Sequence, residues 1–228
     1  MTYSEVMDEL RAKGDEKVLK QNAKAGGGEN QFGVKTADLR DLAKKLKANP
    51  KLATELWDSG NIDAMRLATL IMKPKELSLD DLDRMVLAMS TFQVADWFGT
   101  NVLKLHPHKE AVRERWMDSK HEVTARMGWS LTTERVIKSP DGLNLSGLLD
   151  RIEIDMAGAP SDPHTMLNCK EWTMNYCLAE IGINFPEHRA RATAIGEKLG
   201  AFRNYPVSKG CVSPYAPIWI AEMVRRKG

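Results

Sequence analysis

Trp97 and Asn101 stand four residues apart in the stretch WFGTNVLKLHPHKEAVRERWMDSKHEVTAR, which Arg126 closes. Positions i and i+4 of a helix share a face, so the indole and the amide project together. An aromatic ring beside an amide, with a guanidinium from a neighbouring helix, suits stacking on bases and holding phosphates. The same residues also fit ordinary packing, with Trp97 in a core and Arg126 bracing a turn through Asp118. Trp172 and Tyr176 form a second aromatic pair at this spacing.

Other chemistries find little support. His106-Pro107-His108 lies in a turn with no carboxylate or thiol at zinc-ligand spacing, so no metal site is expected. AGGGEN lacks the Gly-Lys-Ser/Thr of a phosphate loop and follows no strand, so no nucleotide or other cofactor is expected. There is no Gly-x-Ser-x-Gly. The three cysteines, Cys169, Cys177 and Cys211, contain no C-x-x-C pair and suit no complete disulfide set. Cys169 and Cys177 are predicted to be buried thiols on one packed face. A reducing cytoplasm is the simplest compartment. No apolar run approaches the roughly 20 residues that span a membrane, and the N-terminus has no signal-peptide core.

A net charge of +2 and a pI near 8.4 are too balanced to indicate nucleic-acid binding by themselves. Binding would require basic residues gathered on one face. The candidates are Lys13, Lys17, Lys20 and Lys24, then Lys35, Arg40, Lys44, Lys45 and Lys47, and finally Arg225-Arg226-Lys227. Each group also reads as a solvated helix face.

The elements that must position these groups are helical nearly throughout. Val6 and Leu10, then Val18 and Leu19, mark two short helices broken near Gly14. Thr36 is expected to cap the next, with Leu39, Leu42 and Leu46 as its stripe. Pro50 fits a first turn, Asn61 opens a further helix and Ser78 caps Leu79–Met89. Phe92–Leu105, Ala111–Met117, Val123–Ile137, Leu143–Met156, Thr165–Ile183 and His188–Leu199 follow, and Ile218–Val224 ends the chain. No segment alternates with period two, so no sheet is expected.

Asp58-Ser59 is followed by Arg66, and Asp118-Ser119 by Arg126, an offset of 60 residues. Trp57 and Trp116 stand just before the two turns. Self-similarity of this kind predicts an all-α, HEAT-like helical-repeat solenoid with a concave surface. It is expected to form one domain over 1–228, with an irregular cap at about 201–228 ending in a short helix.

The stretch FGVKTADLRDLAKKLKANPKLATELWDSGNIDAMRLATLIM resembles the DNA alkylation repair family with HEAT-like repeats, the AlkD-like alkylpurine DNA glycosylases. Phe32-Gly33-Val34-Lys35, Leu39-Arg40, and Leu56-Trp57 through Asp63 to Arg66 carry the likeness, which extends over roughly residues 1–200. It implies a C-shaped solenoid whose concave basic groove holds duplex or damaged DNA. It also implies hydrolysis of the glycosidic bond of N3- or N7-alkylated purines, stabilised by a carboxylate and aromatic faces.

Trp97 keeps the family's aromatic, and Asn101 stands where the resemblance places the catalytic Asp. Arg126 matches one family Arg, Tyr176 replaces a Trp, and Ala179 replaces an Arg. The neighbouring Asp96, about 100° around the helix, is expected to point elsewhere. The resemblance therefore implies a branch that binds DNA with weak or absent excision, through Trp97, Asn101, Arg126, Tyr176, Lys35 and Arg40. An active glycosylase is the alternative, and a HEAT-like protein-interaction scaffold the second. No membrane partner is expected, and the sequence names no protein partner.

Overall fold

Thirteen α-helices form among the described residues of this computed structural model, 1–24, 27–89, 91–158 and 170–228. They are α1 (Tyr3–Ala12), α2 (Glu16–Lys24), α3 (Thr36–Leu46), α4 (Pro50–Asp58), α5 (Ile62–Ile71), α6 (Leu79–Leu87) and α7 (Phe92–Asn101). Then come α8 (Lys109–Met117), α9 (Glu122–Lys138), α10 (Leu145–Asp155), α11 (Lys170–Asn184), α12 (Pro186–Leu199) and α13 (Ala216–Lys227). No β-strand forms among the described residues; one isolated bridge joins Gly14 and Val34. None of the described helices is long and apolar enough to cross a membrane. Packing divides the chain into two units, Met1–Val112 and Arg113–Gly228.

Local chemistry sets most helix ends. Asn49 accepts from Leu52 N at 3.2 Å with Pro50 in the first turn, and Asn61 accepts from Asp63 N and Ala64 N at 3.1 Å each. Ser78 and Asp81 form a capping box on α6. Thr36 does not cap α3. The N-cap is Lys35, and the Thr36 hydroxyl instead accepts from Arg66 Nη2 at 2.9 Å. The expected Phe92–Leu105 helix ends at Asn101 and tightens into a 3-10 turn, Leu103–Leu105. The start of the predicted Thr165–Ile183 helix, with Cys169, lies outside the described residues, as do Ala25 and Gly26 of the glycine loop.

In the first unit α5 is the centre. Nine of its ten residues are buried, among them Asp63 and Arg66. It packs against α3, α4 and α7, with a smaller contact to α1. Trp57 of α4 meets Phe98 of α7 with ring centroids 5.2 Å apart. Asp63 has no exposed surface and holds the chain before α3. Its Oδ2 accepts from Phe32 N at 2.8 Å and Gly33 N at 2.9 Å, and its Oδ1 from Val34 N at 3.3 Å. Gly33 turns there with φ +77°, and a Cβ would lie 2.7 Å from Asp15 O.

In the second unit α9 and α11 lie side by side, flanked by α10, α12 and α13. Thr173 Oγ1 donates to Arg126 O at 3.1 Å, tying α11 to α9. Gly128 lets α9 close on α8, since a Cβ there would sit 2.4 Å from Met117 N. Ile220 of α13 fits against Gly182 of α11, and Asn175 Nδ2 donates to Pro214 O at 2.9 Å.

The 60-residue repeat is a repeat of turn structure. Asn61 N donates to Ser59 Oγ at 3.2 Å, and His121 N to Ser119 Oγ at 3.1 Å. Asn61 and His121 then cap α5 and α9, and Trp57 and Trp116 are both buried. The repeated aspartates face other arginines than expected. Asp58 pairs with Arg84 at 2.9 Å, and Asp118 with Arg151 at 2.7 Å.

The energetic contrast is testable. Asp63→Ala leaves three loop amides without their acceptor and should cost about 3–5 kcal/mol in urea unfolding. Asp58→Ala removes one exposed pair and should cost at most about 1 kcal/mol. Equal losses would show that the loop anchor contributes nothing special.

Candidate functional site

Arg40 of α3, Leu70 of α5, and Asp96, Trp97, Thr100 and Asn101 of α7 line one cleft of about 260 Å³. Three neighbouring helices of the first unit thus contribute to one site. On α7 the lining forms two ladders at i and i+4, Asp96 with Thr100 and Trp97 with Asn101. The expectation that Asp96 points away is corrected. Its 100° offset from Trp97 places it on the same cleft wall, because the cleft is wider than one side-chain row.

Trp97 is half-buried, and its ring carries the Arg66 guanidinium 4.4 Å from the centroid. Arg66 is only 8% exposed. Its Nη1 lies 3.5 Å from Asp63 Oδ1, and its Nε has no hydrogen-bond partner. Burial pulls the guanidinium below its ordinary pKa and Asp63 opposes that shift; an arginine remains charged regardless. A cation held over an indole in a desolvated setting contributes on the order of 1–2 kcal/mol.

Asn101 ends α7. Its Nδ2 donates to Thr69 Oγ1 at 3.2 Å, and that hydroxyl donates to Arg66 O at 2.7 Å. The turn beyond is pinned, with Val102 and Leu103 fully buried. His106 Nε2 meets Leu77 O at 3.1 Å, and His106 Nδ1 accepts from His108 N at 3.2 Å. Both ring nitrogens of His106 are thus spent on backbone groups.

The remaining predicted residues are placed differently. Lys35 is exposed and pairs with Asp15 at 2.9 Å, which holds the Asp15 carboxyl below and the Lys35 amine above their usual values. Other lysines of the two N-terminal clusters are also paired: Lys13 with Asp38, Lys20 with Glu16, Lys44 with Asp41 and Lys45 with Glu9. Arg126 is buried in α9, 2% exposed. Tyr176 lies in α11, stacked on Trp219 with centroids 5.0 Å apart and 10° between planes. The cleft therefore joins Arg40, Trp97 and Asn101. Arg126 and Tyr176 belong to the second unit.

Sequence reasoning passed over three contributors: Thr69 beneath Asn101, Asp63 as loop anchor, and Arg66 as the cation on Trp97. Trp219 over Tyr176 was also missed. A charged pair such as Asp63 and Arg66 inside an otherwise apolar helix was the available signal.

A family model described as DNA alkylation repair enzyme matches residues 6–194. Over 231 aligned positions the chain is 22% identical to uncharacterized proteins of Listeria innocua and Listeria monocytogenes, covering 99% of this chain and of each relative. One solved structure is described as "a new family of proteins related to the HEAT-like repeat DNA glycosylases with affinity for branched DNA structures". It matches with a TM-score of 0.79 and 26% identity, covering 100% of this chain and 95% of that one. The all-α architecture is thus a HEAT-like repeat fold.

The second unit yields a pH prediction. Burial, and then Glu180, push the Tyr176 phenol above its ordinary value of 10.0. The neutral ring is favoured in the folded state. That contribution is whole below the ordinary phenol pKa and is lost as pH rises through the raised one. Stability measured by urea unfolding should fall as pH rises above about 10, and Tyr176→Phe should flatten that fall. Superimposable curves for the two proteins would contradict it.

Proposed function

This chain belongs to the DNA alkylation repair family, and on that premise we propose that it binds branched or otherwise distorted DNA through the α3–α5–α7 face and excises alkylpurines weakly or not at all. The observation that carries the reading is Asn101. A neutral amide, hydrogen-bonded to Thr69, stands beside Trp97 where the resemblance calls for a carboxylate. A developing oxocarbenium sugar needs negative charge beside it. Losing one preorganised charge costs about 3–4 kcal/mol, roughly two to three orders of magnitude in rate.

The DNA part rests on family membership, on Arg40 in the cleft wall, and on the branched-DNA affinity described for the structural relative. The near-balanced charge and the many paired lysines favour recognition through a shaped site over a broad positive field. Asp96 supports a second reading. It puts a carboxylate on the same cleft wall, so an active glycosylase would use Asp96 in place of residue 101.

Two measurements test these readings. In a salt titration the protein should bind a four-way junction or flap more tightly than a linear duplex of the same sequence. Arg40→Ala should weaken binding and reduce the salt slope by about one. Weak binding that ignores salt would favour a protein scaffold instead. With N7-methylguanine duplex, wild type should release little free base, and Asn101→Asp should release more. Fast wild-type release that Asp96→Asn abolishes would establish the glycosylase reading.

A further inference from the structure

Trp97 has one ring face already taken. Arg66 lies over it at 4.4 Å, yet Arg66 is not among the cleft-lining residues, whereas Trp97 is. What Trp97 offers the cleft is therefore surface that the guanidinium does not cover. Asp63 sits 3.5 Å from the Arg66 guanidinium, so the stack is balanced in charge within the protein. An indole that already serves one cation is a poorer partner for a second, because the first already draws on its π density.

A cationic alkylated base would be attracted by an unspent aromatic face and by a carboxylate held against it. Here the first is engaged by Arg66, and the second is replaced at residue 101 by an amide. The groups that remain are a flat ring, the Asn101 amide, the Thr100 hydroxyl and the Arg40 guanidinium, with Asp96 at the edge. These suit a neutral ring. The indole supplies a stacking platform, the guanidinium donates to a base edge, and the amide can donate or accept there. At about 260 Å³ the cleft is smaller than a typical drug-sized pocket.

Resting on the DNA-binding reading, we propose that the Arg40–Trp97–Asn101 cleft receives a neutral, unpaired nucleobase at a DNA branch point, and that Arg66 is the specificity-determining residue that disfavours a cationic one. Arg66 acts through Trp97 and touches no base itself. A flap carries unpaired bases at its branch, so insertion there avoids much of the unstacking cost of opening an intact duplex. A continuous duplex presents no such base, so the cleft adds affinity only for branched DNA.

The test uses the full chain and a flap DNA with 2-aminopurine, a neutral fluorescent purine, at the unpaired branch position. Binding should change its fluorescence, as stacking on an indole requires. The same label placed inside the duplex arm should not respond. Trp97→Leu, checked for native unfolding behaviour, should lose the response and bring flap binding down toward that of a linear duplex of the same sequence. A second arm needs no variant: wild type should bind a flap with guanine at the branch several-fold more tightly than one with N7-methylguanine there. Flap binding with no branch-specific fluorescence change overturns the cleft assignment and leaves the DNA-binding reading intact. Equal or tighter binding of the N7-methylguanine flap overturns the role of Arg66. Failure to bind any flap or junction overturns the DNA-binding reading, and this inference with it.

Discussion

A carboxylate without exposed surface is costly unless each oxygen is bonded. Asp63 meets that requirement with the amides of Phe32, Gly33 and Val34. It lies in the first turn of α5, where the helix dipole also favours negative charge. The price of burying it is recovered as position: the loop is fixed on α5, and the loop fixes where α3 begins. One turn later Arg66 extends the same network to Thr36 at the start of α3 and to the Trp97 ring on α7. Two buried charged residues on one helix thus set the relation of three.

This arrangement separates the residues that hold the cleft from those that line it. Asp63, Arg66 and Thr69 are buried, and each bonds a neighbouring element: Asp63 the loop before α3, Arg66 Thr36, and Thr69 Asn101. Arg40, Asp96 and Thr100 are exposed. Trp97 and Asn101 lie between these groups, half-buried, each with one side committed to the interior. A ring clamped by a guanidinium and an amide clamped by a hydroxyl lose little freedom on binding, which is the advantage of a preorganised site. The apolar support is equally fixed, since Phe98 beside Trp97 packs on Trp57.

Helix positions were legible where their causes are local. Pro50, Asn61 and Ser78 cap or start helices through atoms within a few residues, and spacing alone finds them. Thr36 was misread because the entry to α3 is set by Asp63, from a distant helix, and because Arg66 takes its hydroxyl. The Asp-Ser turn was found as a repeat, but its ion pairs run to Arg84 and Arg151 on third helices that periodicity does not identify. Trp97 and Asn101 were legible as a pair because i and i+4 is a same-helix relation. The cation on Trp97 and the ring on Tyr176 come from other helices, and no spacing within one helix predicts them. Asp96 was misplaced because a single-helix projection treats the cleft as one row of side chains.

The hydrogen bonds beneath the cleft have a direction. The Asn101 amide donates to the Thr69 hydroxyl, which in turn donates to the Arg66 carbonyl. A carboxylate at 101 has no proton to begin that chain. The Thr69 hydroxyl would have to turn toward the carboxylate and leave the Arg66 carbonyl to its helical partner alone. The interior as built therefore suits an amide. Asparagine at 101 is matched to its neighbours, and the fold bears no structural penalty for the missing charge. The helix end, the buried turn beyond it and the indole one turn before form a positioned set of groups, shaped for contact and hydrogen bonding.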